Sequence, residues 1–247
     1  INGSHPASPG LKSLHISNNG HLYTHTRGVD SMYFRFYVKF HEQTGYIHHF
    51  VQICADRNPT PWPKGNAGIR PLGDSGFWAE VSPTGRGGMI PPPGDFHFYT
   101  YWHQMKPDKT GIYWGNNFDN EIPEPIVPGK WYCIEEMIKA NSTPESRDGV
   151  QALWIDGRLT AEYNDFNWRT TGDLKLNTVW LSYYITEFAA KFNNDTSSTR
   201  VNEVWFDDIV VATKYIGPIY GSPSKGKKIG RPGKSALKRL PRQIKSK

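Results

Sequence analysis

The stretch Phe96-His97-Phe98-Tyr99-Thr100-Tyr101-Trp102-His103 decides how the chain is read. With a period of two, Phe96, Phe98, Thr100 and Trp102 fall on one face, and His97, Tyr99, Tyr101 and His103 on the other. Side chains of a β-strand alternate between faces in this way. The first face is core material. The second carries four rings, each with a hydrogen-bonding tip, where a plain solvent face would more often carry Lys, Glu, Thr or Ser. Such rings suit a surface that binds something flat and hydroxylated, such as a sugar ring. The plainer alternative is a wet sheet face whose Tyr and His reach for water.

The same period recurs on both sides of this stretch. In Tyr33 to Phe40, Phe34, Phe36, Val38 and Phe40 read as inward, and Arg35, Tyr37 and Lys39 as outward. In Ile47 to Cys54, alternation puts His49 with Val51 and Ile53, and His48 with Phe50, Gln52 and Cys54. Further strands are expected at 14–16, 21–23, 77–81, 131–140, 150–155, 158–163, 178–186 and 204–212. Asp156-Gly157 is a hairpin turn signal between two of them. Long Pro- and Gly-rich loops are expected at 56–76, 82–94 and 105–129, where binding rims often sit. No stretch carries a sustained helical period. Many strands, long loops and a body of this size predict an all-β sandwich of two packed sheets.

Composition narrows the classes. A chain of 247 residues with this pattern is expected to form one domain, over residues 1–220. Its net charge of +6 comes from one end, because residues 225–247 hold ten Lys or Arg and no acid. That leaves 19 basic and 23 acidic residues, so the body is mildly acidic and is not expected to bind nucleic acid. The tail, 221–247, has too little apolar surface to fold and is expected to be disordered. No apolar run is long enough to cross a bilayer. The start, Ile1-Asn2-Gly3-Ser4, reads as a mature or trimmed end. Sequons at Asn2, Asn141 and Asn194 fit secretion. Cys54 and Cys133 fit one disulfide or two buried thiols equally well.

Two late motifs carry a family resemblance. Trp154-Ile155-Asp156-Gly157 and the strand Val204 to Ala212, with Asp207-Asp208-Ile209 inside it, resemble the hairpin and closing strand of the concanavalin-type jelly roll. Among enzymes on that fold the chain is similar to the polysaccharide lyases that cut uronic-acid polymers such as alginate and glucuronan, over residues 30–216. The resemblance implies action on an acidic polysaccharide by β-elimination; a monomer that requires no cofactor is expected. It implies a Gln or Asn beside the uronate carboxylate, a His or Tyr as base and a Tyr as acid. Gln52-Ile53 resembles the start of the family's Q-I-H strand, with Cys54 standing where the His would be. Tyr184 lies in the penultimate strand, where the family's catalytic Tyr sits. The family's arginine strand has only a loose counterpart in Arg35.

The expected catalytic set is therefore Gln52 and Tyr184, with His48, His97 and His103 competing for the base. Tyr99, Tyr101, Trp154, Trp180 and Arg35 are the expected substrate contacts. Asp207 is a candidate ligand of a structural calcium, although one solvent-facing and one loop-capping Asp explain Asp207-Asp208 as well. A non-catalytic carbohydrate-binding module remains an alternative. Glycoside hydrolysis is a weaker one, since the paired carboxylates it needs are not evident and Glu135-Glu136 point to opposite faces.

Overall fold

The computed structural model describes residues 6, 12–59, 67–120, 122–186, 189 and 202–219. The strands are β1 (Leu14–Ser17), β2 (Gly20–Val29), β3 (Ser31–Phe40), β4 (His49–Asp56), β5 (Gly76–Thr84) and β6 (Asp95–Tyr101). They continue with β7 (Asn116–Phe118), β8 (Trp131–Lys139), β9 (Gly149–Ile155), β10 (Arg158–Phe166), β11 (Leu176–Tyr184) and β12 (Glu203–Ala212). Two six-stranded sheets result, a back sheet ordered β1-β12-β3-β8-β9-β10 and a front sheet ordered β2-β11-β4-β5-β6-β7. The pairings are antiparallel, and the architecture is the expected jelly-roll sandwich.

One apolar layer fills the space between the sheets. Phe34, Phe36, Val38 and Phe40 enter it from β3, and Phe96 and Phe98 from β6, as their alternation requires. Their rings contact one another across the sheets, with Phe36 and Phe50 at 6.2 Å and Phe40 and Phe96 at 6.2 Å. A polar strip interrupts the layer. Thr100 Oγ1 donates to Gln151 Oε1 at 2.9 Å, while Gln151 Nε2 and both oxygens of the fully buried Glu136 find no partner among the described residues.

Two features settle what faces out. Residues 213–219 run over the outer face of the back sheet, where Ile216 and Gly217 N–H donate to Glu135 at 2.8 Å and Ile219 N–H donates to the Tyr37 hydroxyl at 2.8 Å. That covers Arg35 and its neighbours. In β4 the alternation breaks once. Phe50 and Val51 both lie in the core, and the register against β11 shifts between Leu181 and Tyr184. An irregularity of this kind flips the faces on one side of it. His49 therefore joins Gln52 on the outer face of the front sheet, and the expected parity of Ile47 to Cys54 fails at its first half.

Both cysteines are free and buried, Cys54 on β4 of the front sheet and Cys133 on β8 of the back sheet. Asn141 is fully buried, with Nδ2 donating to Thr143 O and Arg169 O and Oδ1 accepting from Trp168 N and Arg169 N. That sequon serves the fold rather than a glycan. The sequons at Asn2 and Asn194, and the basic tail, lie outside the described residues.

Candidate active site

The outer face of the front sheet gathers rings and polar groups from five strands. β2 contributes His21 and His25, β11 contributes Trp180 and Tyr184, and β4 contributes His49 and Gln52. β5 contributes Trp78 and Glu80, and β6 contributes His97 and Tyr99. Two cavities open on this face. One of about 320 Å³ is lined by Tyr46, His48, Arg86, His97, Tyr99 and Asn117 among others. The other, of about 200 Å³, is lined by His25, Gln52, Asp56, Trp78, Thr178 and Trp180 among others. The His49 ring lies 5.9 Å from Tyr99 of the first and 6.4 Å from Trp78 of the second, so His49 stands between them.

Glu80 organises the centre. Its side chain is fully buried, which an unpaired carboxylate could not sustain. Its oxygens receive three donors: His49 Nδ1 at 2.9 Å, the Phe50 N–H at 3.0 Å and Gln52 Nε2 at 3.0 Å. The Phe50 N–H that makes this bond lies at the register shift between β4 and β11. With Nδ1 held by Glu80, Nε2 is the His49 nitrogen left for the groove. Burial lowers the pKa of His49, but the Glu80 charge and its hydrogen bond raise it more, and the net shift is upward. Gln52 is itself buried, and its amide N–H group is engaged with Glu80.

His48 and Tyr184 complete the cluster. The two histidine rings stack at 4.2 Å, and Tyr184 lies 6.1 Å from His48 and 6.0 Å from His49, its ring almost parallel to His49. Desolvation first, and then repulsion from His49, push the His48 pKa down to about 4. Neighbouring histidines are thus driven in opposite directions, the pattern by which one site obtains an acid and a base at a single pH. His21 borders the same ring, 5.8 Å from Tyr184.

The expected residues divide by place. His48, Gln52, Tyr99, Trp180 and Tyr184 meet in or beside the two cavities. His97 lines the first cavity, but it is buried and both ring nitrogens are engaged, Nδ1 with Ser82 O at 2.8 Å and Nε2 with Asn117 Oδ1 at 3.0 Å. Tyr101 is buried against Trp78, with ring centroids 4.4 Å apart. His103 is placed elsewhere, because β6 ends at Tyr101; its Nε2 meets Asn167 Oδ1 at 2.6 Å. Trp154 and Arg35 are on the back sheet, Trp154 against Tyr33 and Tyr215, and Arg35 buried beside Tyr37. Neither reaches the groove.

Asp207 lies on β12, where its Oδ1 accepts from the Asp208 N–H at 2.8 Å. Among the described residues no group of three or more His, Cys, Asp or Glu side chains is arranged to hold a metal ion. The sequence reading missed His49, Glu80 and Arg86. The signal for Glu80 was a lone acid among the apolar residues Phe77-Trp78-Ala79-Glu80-Val81.

The sandwich is shared with known lyases. It superposes on a variant of the alginate lyase Aly36B in complex with alginate trisaccharide, with a TM-score of 0.59 and 15% identity over 82% of this chain and 82% of that one. It also superposes on the alginate lyase vAL-1 from Chlorella virus, with a TM-score of 0.55 and 14% identity over 86% of this chain and 81% of that one. No family model matches the sequence, and no curated protein matches it. The chain therefore has the jelly-roll fold on which polysaccharide lyases are built.

Proposed function

We propose that this protein is a polysaccharide lyase that cleaves a uronic-acid polymer by β-elimination. The observation that carries the reading is the buried Glu80, which holds His49 at 2.9 Å beside His48 and Tyr184 on an open, ring-lined face. Elimination needs the charge of the sugar carboxylate neutralised, the C5 proton removed and the leaving oxygen protonated.

On this reading each group in the cluster has a role. His49, protonated and anchored by Glu80, donates from Nε2 to the uronate carboxylate. His48, neutral because its pKa is low, accepts the C5 proton. The C5–H electron pair becomes the C4–C5 double bond, the bond from C4 to the glycosidic oxygen breaks, and Tyr184 gives its phenolic proton to that oxygen. Gln52 changes role relative to the sequence expectation: it fixes Glu80 instead of meeting the substrate. Hydrolysis is less well supported, because it needs two accessible carboxylates and Glu80 is buried and fully engaged.

Incubation with alginate, glucuronan, pectate and glycosaminoglycans, followed by the ultraviolet absorbance of the unsaturated product, tests the reading. Product from at least one polymer is expected. Tight binding without product would favour a carbohydrate-binding module.

A further inference from the structure

A second pair of loops reaches the groove from the side of the smaller cavity. Tyr113 packs against the cluster of Cys54, Trp78, Tyr101 and Met105, and Trp78 lines that cavity. The Tyr113 backbone bridges to Gly68, which ties the loop after β6 to the loop before β5. Arg70, from the latter loop, holds its guanidinium carbon 5.3 Å from the centre of the Tyr113 ring. Arg70 is exposed, and the arginines that bridge to carboxylates among the described residues are Arg57, Arg86, Arg158 and Arg169.

The platform under Arg70 is built in advance. The Asp108 carboxylate accepts from Thr110 N–H, Thr110 Oγ1 and Ile112 N–H, and from Trp114 Nε1 at 3.2 Å. Lys106 and Asn116 close the base of the loop with bonds of 2.8 and 3.0 Å. Trp114 stays half-exposed with its ring fixed by that indole bond. Of the arginines, Arg86 lines the larger cavity, and it is taken by Asp95 at 2.7 and 3.2 Å.

We infer that Arg70 on Tyr113 is a binding subsite for the carboxylate of an acidic sugar unit beyond the one that reacts. A planar guanidinium matches a carboxylate with two parallel hydrogen bonds, and stacking on a ring holds it in that pose. The subsite rests on the lyase reading for its position along the polymer, but its ligand class follows from the arginine alone. It makes the groove longer than the catalytic cluster and selective for chains with repeated negative charge.

The test uses the full chain as wild type, Arg70→Gln and Arg70→Lys, with melting temperature as a control on folding. Binding of uronic-acid oligomers of increasing length, and of a neutral glucan, is measured alongside product formation. Arg70→Gln should weaken binding of the longer acidic oligomers about tenfold, the worth of one charged hydrogen-bonded contact. The shortest oligomers and the neutral glucan should be unaffected, and Arg70→Lys should recover only part of the loss. Binding by Arg70→Gln equal to wild type, or an equal loss for the neutral glucan, overturns the subsite. If wild type forms no product while Arg70→Gln still loses only the long acidic oligomers, the subsite stands and the lyase reading falls. If wild type forms product and Arg70→Gln binds every oligomer normally, the lyase reading stands and the subsite falls.

Discussion

His49 Nδ1 lies 2.9 Å from Glu80 Oε2, and the Glu80 side chain has no exposed surface. A buried carboxylate facing a half-buried imidazole keeps the proton on the ring to a higher pH than water would.

The pH dependence follows. The proposed mechanism needs His48 neutral and His49 protonated. Activity should rise as pH climbs through the His48 pKa of about 4 and fall as pH passes the His49 pKa, which lies above its usual 6.5. Glu80→Gln removes the charge that raises His49, so the alkaline limb should move to lower pH. A pH–rate profile of kcat/KM in both proteins checks this; an unmoved alkaline limb would show that Glu80 does not set the His49 protonation.

Tyr184→Phe removes one oxygen at a half-buried position. Product formation should fall about a hundredfold or more, the usual size of a general-acid effect, with the melting temperature nearly unchanged. Full activity would move the proton donor to another group, with Tyr99 next in the same face.

His48 and His97 should respond in opposite ways. His48 is exposed at the cavity mouth, so His48→Ala should abolish product while the fold keeps its stability. His97→Ala orphans the buried Ser82 carbonyl, at a cost of about 1–3 kcal/mol, while the exposed Asn117 amide can turn to water. Its defect should appear in thermal melting first, with kcat largely kept in the folded fraction. Equal melting curves with a dead His97→Ala would return His97 to the list of bases.

Glu136 makes the fold sensitive to alkali. It is fully buried, its oxygens have no partner among the described residues, and burial raises its pKa well above 4.5. Below that value both folded and unfolded states hold the proton. Above it the unfolded chain releases the proton and the folded one does not, so stability falls as pH rises. Glu136→Met should melt higher than wild type in neutral and alkaline buffer, with a gap that closes on acidification. A gap that ignores pH would mean packing, not ionisation, is the source.

Much of this was legible from periods of two. The inward sets of β3 and β6 needed only alternation. Alternation says which residues share a face, but not which sheet they join. Trp154 and Arg35 were therefore credited to a groove that lies on the other side of the sandwich. It also cannot foresee a register shift, and the one between β4 and β11 put His49 in the place expected for Phe50. The Glu80–His49 contact joins residues 31 apart through the register of β4 against β5, which no local pattern encodes. The aromatic strand that began the reading did find the face, although Tyr101 is buried there against Trp78 and His103 lies past the strand's end.

The segment over the back sheet has a practical corollary. By fastening Ile216, Gly217 and Ile219 to Glu135 and Tyr37, it brings the polypeptide out of the sandwich on the side away from His49. Whatever is grafted at Ile219, whether a resin, a dye or a second catalyst, starts its path behind the molecule. On the lyase reading, an attachment there leaves the front open to long polymers, and product formation by an immobilised preparation should match that of the dissolved protein.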